Sequence, residues 1–291
     1  MATATMTGAV SVHPVSEAIG AEVRGVELAC LEDDAFAAIE RAWLAHQVIL
    51  FRDQALSIEQ LLAFAARFGA LENAPLNVTG KPWIPHYPQL AVMSNVRENG
   101  KPIGSLGAGE ASWHTDMSYR ADPPSASVLY AVEVPASGGG NTGFADMYAA
   151  YESLPAALAA RVEQLVIVHD SSRNSADEQR PGIAVVGDPR QAPGARHPAV
   201  RTHPLTGRRA LFLGRRRNAW IVDMDLEHSE ALLDELWAHA TRPEFTWHHR
   251  WRVGDLLVWD NRCVMHRRDA FDAAQRRVMH RAQVAGDRPF L

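Results

Sequence analysis

A mainly β protein with flanking helices is the fold class this sequence predicts, on three observations. Six short runs rich in Val, Ile, Leu and aromatic residues, bounded by Gly, Pro or polar residues, read as strands. Only three stretches carry a clear helical period. Strands and helices do not alternate regularly and no segment repeats, which favours a barrel or sandwich decorated with helices over a doubly wound sheet.

In chain order, EDDAFAAIERAWLAHQ (32–47) spaces its apolar residues as a helix does, behind an acidic start. QVILF (47–51) follows as a strand. SIEQLLAFAARFG (57–69) is a second helix, opened by a Ser57/Gln60 capping box and stopped at Gly69. QLAVMSNV (89–96), SASVLYAVEV (125–134) and RALFL (209–213) are the next strands. HSEALLDELWAHATR (228–242) is a third helix, ended by Pro243, and DLLVWD (255–260) and RRVMHRAQVAG (276–286) complete the strands. The first ten residues are expected to be disordered. Residues 72–88 and 170–200 are rich in Pro, Gly and polar residues and follow neither period. With its flank the first extends to 72–112, and both segments are read as a lid over a site or as mobile loops.

The 291 residues, 47% of them apolar, suffice for one large domain over 1–291. A formal charge of −5 gives nucleic-acid binding no electrostatic support. No apolar run approaches the roughly 20 residues that span a bilayer, so no membrane role is expected. Two cysteines, Cys30 and Cys263, argue against a disulfide framework and for a reducing compartment. The N-terminal stretch has no basic segment before an apolar run, so no signal peptide is expected. A cytoplasmic homo-oligomer, dimer or tetramer, acting on a small molecule is the expected setting.

ASWHTDMSYR (111–120) holds His114 and Asp116 two apart, and on a strand such residues project to one side. Among thirteen histidines a lone His-x-Asp decides little. The candidate third ligand is His266, in DLLVWDNRCVMHRRDAF (255–271), past an apolar strand and a turn-like DNR, at a strand end facing a cavity. Two histidines and a carboxylate on one face of an octahedral metal leave three positions open, the arrangement of non-haem Fe(II) oxygenases. Zinc sites of the CxxC or HExxH kind are not present. As a strand, QRRVMHRAQVAG (275–286) puts Arg277, Met279 and Arg281 on one face and Val278, His280 and Ala282 on the other. Inward guanidiniums are costly unless an anion answers them. That anion is either an internal Asp or Glu or a bound ligand, and a neighbouring metal triad favours the ligand, since guanidinium grips carboxylate in a planar fork.

The order and spacing of His114-x-Asp116, His266, Arg277 and Arg281 resembles the taurine dioxygenase/TfdA family of Fe(II)- and 2-oxoglutarate-dependent dioxygenases. PASGGGNTGFADMYAAYESLP (135–155), VRTHPLTGRRALF (200–212), VWDNRCVMHR (258–267) and RRVMHRAQVAGDRPF (276–290) share the likeness, which runs from about residue 20 onward. The resemblance implies a double-stranded β-helix (a cupin-like jelly roll) with Fe(II) held by His114, Asp116 and His266 between its sheets. It implies that Thr142 and Arg277 hold the distal carboxylate of 2-oxoglutarate. Arg281 would face the 1-carboxylate side and the anionic head of the prime substrate. It further implies hydroxylation, with O2, of a small anion such as a sulfonate, sulfate ester or aryloxyalkanoate, releasing succinate and CO2. A C–heteroatom bond breaks where the hydroxylated carbon carries S, O or N.

The sequence departs from those relatives at the substrate. Where the taurine-cleaving members carry a His and a Tyr after an FG pair, this chain has Ala74 and Asn77, and where they carry an Asn before the first ligand it has Glu110. A carboxylate at that mouth would repel an anion or recruit an amine, so hydroxylation of an amino acid or another amine-bearing molecule is the alternative. A cupin-like enzyme or binding protein without 2-oxoglutarate is a further one, against which Arg277 and Thr142 weigh. His203 reads as a turn residue; His248, His249 and His280 read as packing or surface residues. Arg215–Arg217 read as a solvated face, bordering the pocket in relatives, and Gly138–Gly140 as a flexible turn before Thr142. Trp113 and Trp259 read as core aromatics framing the metal strands.

Overall fold

The computed structural model describes residues 10–77, 79–180 and 182–291. Nine of the ten N-terminal residues expected to be disordered lie outside these. Val10 is described and packs, half-buried, on the core.

The apolar runs assemble into one eight-stranded sheet in the order 11–14, 21–24, 48–51, 256–260, 126–133, 278–284, 91–94, 105–106. Alternation along these strands separates two cores. Val48, Leu50, Leu257, Trp259 and Met279 face one side, and Ile49, Phe51, Leu256, Val258 and Ala282 the other. The second face is covered by the helices Asp33–His46 and Ile58–Ala65 through Ile39, Trp43, Leu61 and Phe64. The first face meets a smaller antiparallel sheet ordered Thr246–His249, Thr142–Asp146, Val264–Arg268, Ala111–His114, whose Phe144, Val264 and Met265 complete that core. The result is a jelly-roll sandwich of two facing sheets with helices outside.

Local chemistry sets the boundaries. Gln47, which belongs to both the helical and the strand run, turns the chain between them with φ 60. The Ser57/Gln60 capping box is made in both directions. The third helix runs Leu226–Ala240 and begins before residue 228 because the Asp225 carboxylate accepts from the His228 amide. Two short helices that the periodicity did not announce, Met147–Glu152 and Ala156–Val162, follow the strand Thr142–Asp146.

The two loop segments are narrower than 72–112 and 170–200. The first includes Ala91–Ser94, the strand read within 89–96, fully buried and paired with Val278–Val284. The second includes Gly194–Pro198, a strand the sequence did not announce. The irregular remainder of both segments supplies wall to the large cavity, through Leu76 and Trp83 from one and Asn174 and Arg180 from the other. No described helix is long and apolar enough to cross a membrane.

Candidate active site

Strand register brings the two histidines together. His114 ends Ala111–His114 and pairs with His266, the middle residue of Val264–Arg268, leaving the ring centroids 4.1 Å apart. His266 is thus mid-strand rather than at a strand end. Asp116 is not on a strand. It lies in the turn just past His114, beside Met117 with φ 48, so strand alternation does not aim it. Asn261 holds it instead: the Asp116 amide donates to Asn261 Oδ1 at 2.8 Å and Asn261 Nδ2 donates to the Asp116 carbonyl at 3.0 Å.

The three side chains are buried, and one donor atom from each lies within 4.8 Å of the others. Asp116 Oδ1 is 3.6 Å from His114 Nε2 and 3.9 Å from His266 Nε2. His114 Nδ1 donates to the Ser112 carbonyl at 2.8 Å, which fixes its tautomer and leaves the Nε2 lone pair facing the other two. Burial pushes His266 well below the ordinary histidine range, so it offers a neutral lone pair. Burial alone would raise the Asp116 carboxyl, but the Arg281 guanidinium beside it outweighs that and holds the group well below the usual range. Two imidazoles and one carboxylate, converging in a buried pocket, fit an Fe(II) ion bound on one face.

A second group of potential ligands, His203, Asp260 and Cys263, is already satisfied. His203 Nδ1 accepts from the amides of Leu205 and Thr206, so its Nε2 carries the proton that it donates to Asp260 at 2.9 Å. Arg262 holds the same carboxylate at 2.7 Å. His203 is therefore a buried turn residue with a structural partner.

Two cavities adjoin the triad. A narrow cleft behind it is lined by Thr142, His266, Arg268, Arg277 and Arg281; a larger one of about 500 Å³ lies in front, lined by His114, Asp116 and Arg281. The two inward arginines differ. Arg281 donates to Asp116 Oδ1 and Oδ2 at 3.1 and 3.3 Å, so it takes the internal ion pair. Arg277 has no carboxylate within 4 Å among the described residues, and its Nε has no partner. Burial and the nearby Arg268 lower it to about 9. Gly140, with φ +62, lets the chain pass against it, since a Cβ there would lie 3.0 Å from Arg277 Nε. Thr142 Oγ1 accepts from Trp251 Nε1 at 2.9 Å, which leaves its own proton to donate. A buried, unanswered guanidinium beside a free hydroxyl proton fits the distal carboxylate of 2-oxoglutarate.

Of the remaining candidates, Asn77 lines the large cavity, but its side-chain oxygen is occupied by the amides of Thr79 and Lys81. Glu110 was expected at the mouth and is not there. It is exposed, lines neither cavity, and pairs with Arg267 Nη2 at 2.6 Å, which removes the carboxylate that motivated the amine alternative. Glu110→Gln should therefore leave the Michaelis constants for anionic and amine-bearing substrates within about twofold of wild type. A selective shift for amines would return it to the site. The arginine triplet divides: Arg216 pairs with Glu230 and Asp234, and Arg217 with Asp177, at the surface. Arg215 instead turns inward to the cavity wall, bridged to His114 through the backbone. Trp259 is buried with its ring centroid 4.7 Å from that of His266.

Sequence reasoning missed the groups that hold Asp116 apart from Arg281. Ser127 Oγ donates to Asp116 Oδ2 at 2.8 Å, and Gln283 Nε2 donates to Ser127 Oγ at 3.1 Å. The available signal was a polar residue at an inward position of an apolar strand, two steps beyond Arg281 in the case of Gln283.

Residues 11–283 match the family described as "Taurine catabolism dioxygenase TauD, TfdA family". The chain is 35% identical to an (S)-phenoxypropionate/alpha-ketoglutarate-dioxygenase of Sphingobium herbicidovorans over 97% of both chains. It is 37% identical to an alpha-ketoglutarate-dependent 2,4-dichlorophenoxyacetate dioxygenase of Cupriavidus pinatubonensis, over 86% of this chain and 88% of that one. Among solved structures, AAD-2 in complex with Mn(II) and N-oxalylglycine superposes with a TM-score of 0.79 at 32% identity, covering 98% of this chain and all of its own. Since the match takes in both sheets and every side chain around the triad, the chain belongs to the TauD/TfdA family of dioxygenases.

Proposed function

We propose that the protein, an Fe(II)- and 2-oxoglutarate-dependent dioxygenase, hydroxylates a small anion with an apolar body, of the aryloxyalkanoate class, at the carbon beside its ether oxygen. The make-up of the large cavity carries this reading. Leu76, Trp83, Met93 and Leu106 give it an apolar wall, and two guanidiniums, Arg281 and Arg215, face it next to the triad. Burial and the neighbouring Arg180 lower Arg215 to about 10, and no carboxylate lies within 4 Å of it among the described residues. A desolvated cation in an apolar cavity favours an anionic ligand. Names of relatives that act on phenoxypropionate and 2,4-dichlorophenoxyacetate support the same class.

The iron, with 2-oxoglutarate and O2, supplies hydroxylation of an unactivated C–H bond and releases succinate and CO2. The chain provides the geometry. His114, Asp116 and His266 would hold the metal, a ligand set that leaves room for the cosubstrate. Thr142 and Arg277 fix the far carboxylate of the cosubstrate, giving it one pose. Arg281 and Arg215 would draw the substrate's carboxylate to the end of the cavity that His114 and Asp116 also line, which would bring its ether carbon near the metal site. A hydroxyl added there makes a hemiacetal, which collapses to a phenol and a 2-oxo acid.

The test is a panel of aryloxyalkanoates, sulfonates, sulfate esters and amino acids, scored by succinate and by phenol release. Aryloxyalkanoates should stimulate succinate formation with one phenol per succinate. Stimulation by another class alone would overturn the reading. Arg281→Ala and Arg215→Ala should each raise the substrate's Michaelis constant by about thirty-fold or more, while slow substrate-free consumption of 2-oxoglutarate continues.

A further inference from the structure

We propose that Ser127 and Gln283 are positioning residues that make Asp116 a one-oxygen metal ligand and thereby set the affinity of the site for its divalent ion. The inference rests on reading His114, Asp116 and His266 as ligands. It concerns what aims the one ligand that no strand supports.

Asp116 sits in a turn, and a carboxylate free to rotate there could offer either oxygen or both. The structure removes that freedom from the sheet side. Ser127 is fully buried on the strand Ala126–Glu133, and its hydroxyl lies 2.8 Å from Asp116 Oδ2. Gln283 lies directly across from it on Val278–Val284, with its amide nitrogen 3.1 Å from Ser127 Oγ. Donor and acceptor counting fixes the direction of this chain. An ionised carboxylate only accepts, so the single Ser127 proton goes to Asp116, and Ser127 Oγ must accept from its other neighbour. The Gln283 amide then has to present nitrogen, not oxygen, to the serine. Gln283 therefore prevents the hydroxyl from turning away. Oδ2 takes the serine proton, Arg281 reaches both oxygens at 3.1 and 3.3 Å, and Oδ1 is the oxygen that faces the two histidines, at 3.6 and 3.9 Å. Partners of this kind orient metal-binding side chains, and their loss typically weakens binding roughly ten- to a hundred-fold.

Mn(II) is the probe, titrated into the full chain and followed by its electron paramagnetic resonance signal. Ser127→Ala should weaken Mn(II) binding by roughly ten-fold or more. Ser125→Ala is the matched control, because that buried serine, two residues away, donates to the Ala285 carbonyl instead. It should leave binding within about twofold. Gln283→Leu, which keeps the serine, should weaken binding less than Ser127→Ala. The double variant should bind no more weakly than Ser127→Ala alone, since Gln283 acts through the serine. Ser127→Ala with wild-type affinity would overturn the proposal, as would an equal loss in Ser125→Ala or a double variant whose losses multiply. Asp116→Ala, measured alongside, separates the two readings. If it binds Mn(II) normally the ligand assignment fails, whereas its loss beside a normal Ser127→Ala defeats the positioning role alone.

Discussion

Replacing His266 or Asp116 by alanine should abolish tight Fe(II) binding and all substrate-coupled O2 consumption, because two remaining ligands cannot hold the facial geometry. The two variants should differ in stability. His266→Ala removes a neutral, buried ring that has no hydrogen-bond partner at Nδ1 among the described residues. Asp116→Ala also strands Arg281, whose side chain is 13% exposed and has its ion pair with that carboxylate. Removing one partner of a buried pair typically costs about 3–5 kcal/mol. Metal titration should thus show loss in both, while thermal denaturation of the metal-free proteins should single out Asp116→Ala as the less stable. Near-normal coupled turnover in either variant would remove the metal assignment.

The second large effect is expected at Arg277. Losing a buried guanidinium–carboxylate contact costs about 2–5 kcal/mol, so Arg277→Ala should raise the apparent constant for 2-oxoglutarate by at least about thirty-fold. Arg277→Lys should recover little, for two separate reasons. An ammonium lacks the planar fork, and the burial that lowers the arginine to about 9 would draw a lysine towards its neutral form. Arg281→Ala should instead damage prime-substrate affinity, with a smaller effect on the cosubstrate, because Arg281 lines both cavities. The measurement is the pair of constants for each variant. Normal 2-oxoglutarate binding in Arg277→Ala together with lost binding in Arg281→Ala would exchange the two roles.

What could be read in the sequence follows the chemistry of each face. Five strands of the large sheet, 48–51, 91–94, 126–133, 256–260 and 278–284, were legible because they are rich in apolar residues, with one face of the sheet packed on helices and the other on the smaller sheet. The short edge-side strands 11–14, 21–24 and 105–106 were not. Three strands of the smaller sheet were not, since Thr142, His266, Arg268 and His249 interrupt their apolar pattern. The metal ligands showed through because a His-x-Asp and a distant His are unusual residue types for a core. Their geometry did not, for Asp116 is aimed by Asn261, far along the chain, and by Ser127 on the next strand, which no spacing rule links to it. Glu110 was misplaced for the same reason: Arg267, which holds it at the surface, neighbours it only in space. Three consecutive arginines gave no hint of which would turn inward.

The large cavity is assembled from two kinds of chain. Its inner end, with His114 and Arg281, belongs to paired strands, whereas Leu76, Asn77, Gly107 and 174–180 come from connecting segments. Connecting segments tolerate substitution and changes of length far better than buried strands do. Divergence can therefore alter which molecule is admitted without touching the residues that oxidise it, and the oxidising machinery can be inherited intact while its clientele changes.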